Sequence, residues 1–394
     1  MNSARPASFG EEISKGVLKR RHFEAEHEMF RKSFREFVKN EIAPHYDAWE
    51  RAGITPKEIW KKAGANGFLC TWADEAYGGA GCRDFRYDQI VAEELANTPG
   101  VAFGLHSSVI APYLDRLGTE EQKHRLLTRA VAGEAILAVA MTEPAAGSDL
   151  AGIQTRAELR GDHWLINGSK TFVSNGINAD IVIVAAKTDA ANPRAIGLFV
   201  VESGMPGFER GRKLEKLGYR AQDTAELFFH DVQAPCANVL GDPRKGFHAM
   251  MQLLSDERLA AACGSLAIAR AAFDLTLPYV KQRKAFGQPL ADFQNTRFKL
   301  AEMKTELDIG QVFIDRCAME HNAGELTAEM AAEAKLWTAE LAGRVTDQCL
   351  QLFGGYGYMW EYPIARLYAA ARVHRIWAGT SEIMKEIVGR ALLK

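Results

Sequence analysis

Residues 141–149 read MTEPAAGSD, a run that combines hydroxyl groups, small residues and two acids in a single bend. Thr142 and Ser148 supply hydroxyls, and Gly147 removes a side chain that would keep a ligand away from the backbone. Backbone N–H groups at such a bend bind a phosphate or the polar edge of a ring. Because Pro144 and Gly147 also suit an ordinary surface loop, the segments around the bend must decide between the two interpretations.

Short strands are predicted on both sides of this bend, from about residue 136 to residue 240. The candidates are separated by Gly, Asn and Asp pairs and cover 136–140, 163–166, 171–174, 181–186, 197–201 and 226–229. Residues 180–186 are apolar nearly throughout, which indicates a buried strand. The spacing of the strands predicts a compact antiparallel barrel or sandwich.

Helical patterns flank the β region. Upstream, an apolar stripe predicts a helix and is formed by Met29, Phe30, Phe34, Phe37 and Val38. Segments 58–65 and 88–95 have a similar pattern and also predict helices. Thr119 followed by Gln122 indicates a capped helix start. Downstream, long amphipathic segments predict a helical bundle, and they cover 247–279, 293–322, 327–353 and 383–393. We therefore expect an α+β chain with an N-terminal helical domain at 1–135, a middle β domain at 136–240 and a C-terminal helical bundle at 241–394.

Composition excludes several classes of protein. The 394 residues carry 48 basic and 50 acidic side chains, so no basic field indicates nucleic-acid binding. The six cysteines form no C-x-x-C pair and the histidines no H-x-x-x-H pair, so we expect neither a disulfide framework nor a metal site. No apolar run reaches ~18–20 residues, and the first 22 residues have no apolar leader core. We expect a cytoplasmic enzyme without a membrane span, with a mitochondrial matrix as the alternative location.

Six runs in a fixed order carry a family resemblance: AMTEPAAGSDL (140–150), INGSKTFVSNG (166–176), LGYRAQDTAELFF (217–229), QRKAFGQPL (282–290), QLFGGYGYMWEYP (351–363) and AGTSEIMKEIVGR (378–390). Together they resemble the acyl-CoA dehydrogenase flavoprotein family, and most of all its long-chain branch. The resemblance implies helices, a middle β domain and a C-terminal four-helix bundle. It further implies FAD between the β domain and the bundle, a homotetramer built as a dimer of dimers, and electron-transferring flavoprotein as electron acceptor.

The same resemblance implies two sets of ligand-binding residues. The residues that would contact FAD are Met141, Thr142, Gly147, Ser148, Phe172, Val173, Ser174, Arg283, Phe286, Gln294, Gln351, Gly354, Gly355, Thr380, Ser381 and Glu382. Of these, Arg283 and Gln294 match residues that reach FAD from a neighbouring subunit. The residues that would contact the acyl-CoA substrate are Ser148, His248, Ser255, Asp256, Arg258, Ala378 and Gly379. Thr380 also has the side chain and position of a helix N-cap.

The position of the catalytic base departs from the commonest family pattern. Many members carry a glutamate directly before the G-T-S run, where this chain has Ala378. The long-chain and isovaleryl branches carry the base in an earlier Glu-Arg pair, which matches Glu257 and Arg258. Helical spacing independently places Glu257 as the one charged residue of a stripe formed by Met250, Leu254, Glu257, Ala261, Gly264 and Ile268. A carboxylate on an apolar face has a raised pKa, which suits a general base. The structural alternatives are a buried pair of Glu257 with an arginine or with the backbone, or a helix rotation that exposes it. Asp256, the neighbouring acid, points about 100° away.

We therefore expect α,β-dehydrogenation of a medium-to-long or branched acyl-CoA to the trans-2-enoyl-CoA. As the resemblance implies, Glu257 takes the α proton, flavin N5 accepts the β hydride, and the N–H of Ala378 with a ribityl hydroxyl of FAD meets the thioester oxygen. Three alternatives stay open: an acyl-CoA oxidase or flavin monooxygenase on the same fold, a nonenzymatic protein that retains FAD, and a helical scaffold without a cofactor.

Overall fold

The computed structural model describes residues 20–393. Residues 1–19 lie outside the described residues. The prediction that the first 22 residues have no apolar leader core therefore falls mostly outside the described part of the chain. From residue 20 onward, seven α-helices precede the sheet: α1 (Ala25–Phe37), α2 (Tyr46–Ala52), α3 (Lys57–Ala65), α4 (Phe85–Glu94), α5 (Ala111–Leu117), α6 (Glu120–Gln122) and α7 (Thr128–Val131). Three π-helical segments adjoin them, at Val38–Ile42, Leu105–Ile110 and Lys123–Leu127.

Aromatic packing holds the first helices together. Phe34 and Phe37 of α1 are buried, and the ring of Phe34 meets that of Phe68 edge-on at 5.0 Å. Met29, predicted on the same stripe, is 74% exposed, because the five predicted positions span more of the helix surface than the core covers. The predicted capping box is present, since the N–H of Gln122 donates to Thr119 Oγ1 at 3.2 Å and Gln122 Oε1 accepts from the N–H of Thr119.

Eight strands form one open sheet: β1 (Leu137–Ala140), β2 (Arg156–Arg160), β3 (His163–Ser174), β4 (Ile181–Lys187), β5 (Ile196–Glu202), β6 (Phe208–Lys213), β7 (Thr224–Pro235) and β8 (Val239–Leu240). Their order is β6-β7-β3-β2-β4-β5-β8, with β1 paired to β4. The sheet is not closed, so the barrel alternative of the prediction is wrong, and the β1–β4 pair is parallel in a sheet whose other long pairs are antiparallel. Hydrophobic alternation identifies strands, but it does not specify which strands pair.

Strand β3 corrects a second prediction. The segments 163–166 and 171–174 are one strand, and the register against β7 shifts between Ile166 and Gly168. Gly168 has φ 147°, and a Cβ there would approach Thr155 Cα to 2.7 Å. The Asn167–Gly168 pair is therefore a bulge rather than the end of a strand.

Strand β4 is buried on both faces, as predicted. Ile181, Ile183 and Ala185 face the N-terminal helices, whereas its alternate residues pack into a second cluster with β3 and β7. Both faces of the strand are covered, which explains its continuous apolar sequence.

Helices return after the sheet. They are α8 (Gly246–Gln282), α9 (Gln294–Ala323), α10 (Ala328–Phe353), α11 (Pro363–Ala371) and α12 (Ser381–Leu392), with a small hairpin of β9 (Lys284–Ala285) and β10 (Gln288–Pro289) between α8 and α9. Among the described helices, α8 is long enough and apolar enough to cross a membrane, judged by length and composition alone. This finding corrects the expectation that no apolar segment reaches the length of a membrane span. Within the protein, 67% of its most apolar window is buried, because α8 forms the core of the bundle.

Candidate active site

A buried ion pair anchors the bend at 141–149 to strand β3. Lys170 Nζ donates to Glu143 Oε1 at 2.8 Å and to the carbonyl oxygen of Met141 at 3.0 Å. The backbone N–H groups of Gln154 and Thr155 donate to the same carboxylate. Burial lowers the pKa of Lys170 to about 8. Burial also opposes the ionisation of Glu143, but the charge of Lys170 and the backbone donors outweigh this effect, so the pKa of Glu143 is lowered. The bend is thus held in place by charge-assisted hydrogen bonds.

This anchoring leaves the ligand-binding candidates of the bend uncovered. Met141 and Thr142 are partly buried, whereas Gly147 and Ser148 are exposed. A Cβ on Gly147 would meet no protein atom within 4 Å, so the folded chain itself does not require glycine there. The surface at this point has room for a ligand close to the backbone.

Phe172 lies directly beside the bend. The N–H of Thr171 donates to the Thr142 carbonyl at 2.9 Å, which joins the two segments. Phe172 has φ 57°, at a second register shift of β3, and its ring is 68% exposed. A non-glycine residue at such a φ is held there at a cost of about 1–3 kcal/mol. The fold therefore presents a flat aromatic face outward, while Val173 is buried and Ser174 partly buried.

Glu257 lies on α8 in a setting that favours a proton. Burial raises its pKa to about 7, and the charges of Arg258 and Lys335 oppose that rise only in part. The side chain keeps some solvent exposure, as do Leu254, Ala261 and Gly264 of the predicted stripe, whereas Met250 and Ile268 are buried. The stripe therefore lies partly exposed at the edge of the bundle core. Near pH 7 this carboxyl group exchanges a proton easily, as a general base must.

The neighbouring acid is held differently. Asp256 pairs with Arg116 Nη2 at 2.5 Å and with His321 Nε2 at 3.4 Å. Burial opposes its ionisation, but His321 and Arg116 outweigh burial, so the pKa of Asp256 is lowered. Asp256 thus stays a carboxylate engaged in ion pairs, which is a structural role.

The other candidates on α8 differ in accessibility. Arg258 is 7% exposed, and its Nε is buried with no hydrogen-bond partner among residues 20–393. Burial lowers the Arg258 pKa, although Glu257 opposes this. His248 is exposed in the first turn of the helix, and Ser255 is partly buried. An unpaired buried donor such as Arg258 Nε indicates a ligand contact more strongly than an exposed histidine does.

The turn before α12 is strained and firmly anchored. Ala378 and Gly379 have φ 51° and 89°. Thr380 caps α12 by accepting from the N–H of Ile383 at 3.3 Å, as predicted, and Ser381 Oγ donates to Glu340 at 2.8 Å. Glu382 is exposed, and its pKa is lowered mainly by its own backbone N–H and by Thr380. Within the described chain, the N–H of Ala378 has no backbone acceptor, so it is free to donate to a ligand.

The remaining cofactor candidates lie on a separate surface. Arg283, Gln351, Gly354 and Gly355 line a groove of about 520 Å³ together with Tyr356, over whose ring the Arg283 guanidinium lies at 5.5 Å. Phe286 is 97% exposed and Gln294 is also exposed, but neither lines this groove. None of the groove residues belongs to the bend, to β3 or to the turn before α12.

A buried histidine fixes the junction between the sheet domain and the bundle. Ser265 donates its hydroxyl to the Ala261 carbonyl at 2.7 Å, so His374 Nδ1 must donate to Ser265 Oγ and Nε2 must accept from Tyr219. Burial lowers the pKa of His374 to about 3, with a smaller contribution from Lys335. The histidine is therefore neutral. It lies just ahead of the turn before α12 and links this segment to α8 and to the loop after β6.

Sequence reasoning missed three groups near these candidates. Lys335 is completely buried on α10, the Tyr113 hydroxyl is buried without a partner among the described residues, and Lys170 pairs with Glu143. Burial raises the Tyr113 pKa well above its usual value, and the nearby Glu257 charge adds to this. A signal for Lys335 was present in the sequence, since it is a lone charge among small and apolar residues at helical spacing, as Glu257 is.

Comparison with known proteins covers nearly all of the described chain. Residues 24–134, 138–232 and 244–393 match the family models for the N-terminal, middle and C-terminal domains of acyl-CoA dehydrogenases. A long-chain specific mitochondrial acyl-CoA dehydrogenase of Sus scrofa is 47% identical over 95% of this chain and 88% of its own length.

Solved structures agree with this. An acyl-CoA dehydrogenase from Geobacillus kaustophilus has a TM-score of 0.93 and 50% identity, covering 95% of this chain and 100% of its own. A glutaryl-CoA dehydrogenase from Mycobacterium smegmatis in complex with FADH2 has a TM-score of 0.88 and 30% identity, covering 94% and 95%.

Proposed function

Because the chain belongs to the acyl-CoA dehydrogenase family of flavoprotein oxidoreductases, we propose that it converts a medium-to-long or branched acyl-CoA to the trans-2-enoyl-CoA with Glu257 as base. The observation that carries this assignment is a partly buried carboxyl group with a pKa of about 7, in a chain that has alanine at 378. The reaction belongs to fatty acid oxidation.

The residues of the bend at 141–149 and the adjoining end of β3 fit FAD. Phe172 offers an exposed aromatic face on a strained backbone, and the uncovered hydroxyls of Thr142 and Ser148 lie on the adjoining bend. The N-terminus of α12 at Thr380 favours negative charge. These groups, with Met141, Gly147, Val173, Ser174, Ser381 and Glu382, would hold the cofactor. When bound, FAD supplies the acceptor for the two electrons that leave the substrate as a hydride from the β carbon.

Glu257 provides the proton transfer. With a pKa of about 7, it is roughly half ionised at neutral pH, so it is available as a base and strong enough to share the α proton. Arg258 and Lys335 favour the ionised form and keep it from being a permanently neutral acid. Asp256 does not replace it, since Arg116 and His321 engage both of its oxygens and lower its pKa, which makes it a weaker base.

The N–H of Ala378 polarises the thioester carbonyl. Removal of the α proton builds charge on the carbonyl oxygen, and one preorganised donor at such an oxygen contributes about 2.7–4 kcal/mol. The left-handed φ of Ala378 turns its N–H out of the chain's own hydrogen-bond pattern. Arg258, Gly379, Ser255, His248 and Ser148 are the further substrate contacts that we propose.

The residues around Glu257 and Ala378 bear on the length and branching of the substrate that we propose. Ala378 contributes only a methyl group next to the reacting carbons, which leaves room for a branch. The Leu105–Ile110 π-helical segment packs against α8, and α5, which carries Tyr113, is joined to α8 by the Arg116–Asp256 ion pair. Similarity to a long-chain enzyme supports a medium-to-long substrate, and the small residue at 378 supports tolerance of a methyl branch.

Assembly completes the cofactor site in this proposal. The Arg283 groove lies apart from the residues beside Phe172, and Phe286 and Gln294 are exposed. We infer that Arg283, Phe286, Gln294, Gln351, Gly354 and Gly355 bind the adenosine and pyrophosphate part of FAD held by a neighbouring subunit of a homotetramer. Electron-transferring flavoprotein would then reoxidise the enzyme in the cytoplasm or a mitochondrial matrix.

An anaerobic titration tests the proposed function. The FAD-loaded protein is mixed with saturated straight and methyl-branched acyl-CoAs of increasing length, and flavin absorbance and products are followed. We expect bleaching and a trans-2-enoyl-CoA, with slow reoxidation by air and fast reoxidation by electron-transferring flavoprotein. Fast reoxidation by air would identify an oxidase instead, and no bleaching with any acyl-CoA would overturn the assignment.

A further inference from the structure

Lys335 is an isolated lysine in the core of the bundle. It is 0% exposed on α10, among the buried residues Ala331, Ala334 and Thr338. A buried ammonium group is costly unless it has partners. Its Nζ donates to one protein acceptor within the described chain, the carbonyl oxygen of Gly379, at 2.5 Å. Within the described chain, the hydrogen bond of Lys335 Nζ is therefore made to the turn before α12.

That turn needs an external anchor. Ala378 has φ 51°, a conformation that costs a non-glycine residue about 1–3 kcal/mol. Helix α10 supplies two anchors: Lys335 binds the Gly379 carbonyl, and Glu340 pairs with Arg375 at 3.0 Å and accepts from Ser381. The two contacts fix the backbone on both sides of Ala378. Arg375 precedes Ala378 and the Gly379 carbonyl and Ser381 follow it, so the Ala378 N–H lies on a segment that is anchored at both ends.

We propose that Lys335 is a positioning residue that holds the Ala378–Gly379 turn so that the Ala378 N–H meets the thioester carbonyl of the substrate. This inference rests on the proposed function, because it requires an acyl-CoA thioester at Ala378. Lys335 acts through the backbone and does not touch the reacting atoms.

Charge is the competing explanation for a lysine at this position. Glu257 and Arg258 of α8, Glu340 of α10, Glu382 of α12 and His374 all lie within electrostatic range of Lys335. Burial lowers the Lys335 pKa to about 8, and Arg258 adds to this. If Lys335 only tuned Glu257, its removal would move the pH profile of flavin reduction upward and leave carbonyl recognition intact.

The test compares two coenzyme A ligands on the FAD-loaded enzyme. One is a 3-thia-acyl-CoA, which retains the thioester carbonyl, and the other is the S-alkyl thioether of equal length, which lacks it. Calorimetry gives the ratio of their dissociation constants in wild type, Lys335→Met and Lys335→Gln, whose polar side chain is one bond shorter. Lys216→Met is the matched control, because Lys216 also has its pKa lowered by burial to about 8 and donates to a backbone carbonyl, that of Gln222.

We expect the preference for the carbonyl ligand to fall about tenfold in both Lys335 variants and to stay unchanged in Lys216→Met. We also expect kcat to fall about 10- to 100-fold, because the same N–H meets the charge that develops on the thioester oxygen. An unchanged ratio in Lys335→Gln would overturn the inference even if Lys335→Met did not fold, and so would a shifted pH profile with normal carbonyl preference. If wild type is bleached by acyl-CoA, these failures leave the proposed function standing.

Discussion

Replacing Glu257 with glutamine removes the proposed base while keeping its shape. Burial raises the Glu257 pKa from 4.5 to about 7, which corresponds to about 3 kcal/mol against the ionised form, at about 1.36 kcal/mol for each pH unit. Glutamine carries no charge and avoids that cost. We expect a yellow, folded protein that binds acyl-CoA, with flavin reduction slowed by at least about 10²–10⁴-fold, the usual contribution of a general base.

The same substitution has a pH-dependent effect on stability. The folded protein keeps the Glu257 proton up to about pH 7, whereas the unfolded chain releases it near 4.5. Stability from this group is therefore present at low pH and lost as the pH rises from about 4.5 to about 7. We expect Glu257→Gln to exceed wild type by up to about 3 kcal/mol in free energy of unfolding near pH 8, and to match it near pH 4.5.

Two assays check these expectations. Anaerobic stopped-flow absorbance measures flavin reduction, and urea unfolding at the two pH values measures stability. Glu320→Gln on α9 is the control, because Glu320 is also buried, 8% exposed, but pairs with Arg316 away from the proposed site. Normal bleaching by Glu257→Gln would refute the assignment of the base. Lower stability than wild type at the higher pH would refute the argument about burial.

Three further variants test other parts of the site. Lys170→Met leaves the Glu143 carboxylate buried without its ammonium partner, so we expect the free energy of unfolding, measured with urea, to fall by about 3–5 kcal/mol. Phe172→Ala removes a ring that is 68% exposed, so we expect apo stability to change by less than about 0.5 kcal/mol but FAD affinity, measured by fluorescence titration, to fall about tenfold. His374 has a pKa of about 3 in the folded protein and stays neutral, whereas in the unfolded chain it takes up a proton near pH 6.5. Stability is therefore lost as the pH falls below about 6.5. We expect His374→Gln to reduce this loss, measured by urea unfolding between about pH 5 and pH 7. Unchanged unfolding in Lys170→Met, unchanged FAD affinity in Phe172→Ala, or an unchanged acid slope in His374→Gln would each contradict its explanation.

The sequence predicts those elements whose periodicity is strong. The long helices and the buried strand β4 lie within a few residues of their predicted bounds, because apolar side chains repeat along them at the helical or strand period. The order of the strands and the parallel β1–β4 pair were not predictable, since pairing depends on contacts between distant segments. Helix α11 was missed, because its nine residues, five of them alanine or proline, are too few to repeat a helical period clearly.

For the candidate site, a residue's type was easier to predict than its partners. Helical spacing identified Glu257 as a charge beside the bundle core, and the structure adds the raised pKa and the nearby Lys335. Asp256 matched a substrate position by resemblance, but its partners Arg116 and His321 come from two other segments of the chain. The strain at Phe172 and Ala378 also escaped prediction, since a left-handed φ at a non-glycine residue leaves no pattern in sequence.

Proton exchange at the α carbon tests the role of Glu257 most directly. The FAD-loaded protein is incubated in deuterated water with an acyl-CoA analogue that cannot lose a β hydride, and deuterium at the α carbon is followed by NMR. Our account predicts that wild type exchanges the α protons, with a rate that rises with pH through about 7, and that Glu257→Gln does not. Equal exchange by both proteins would contradict it.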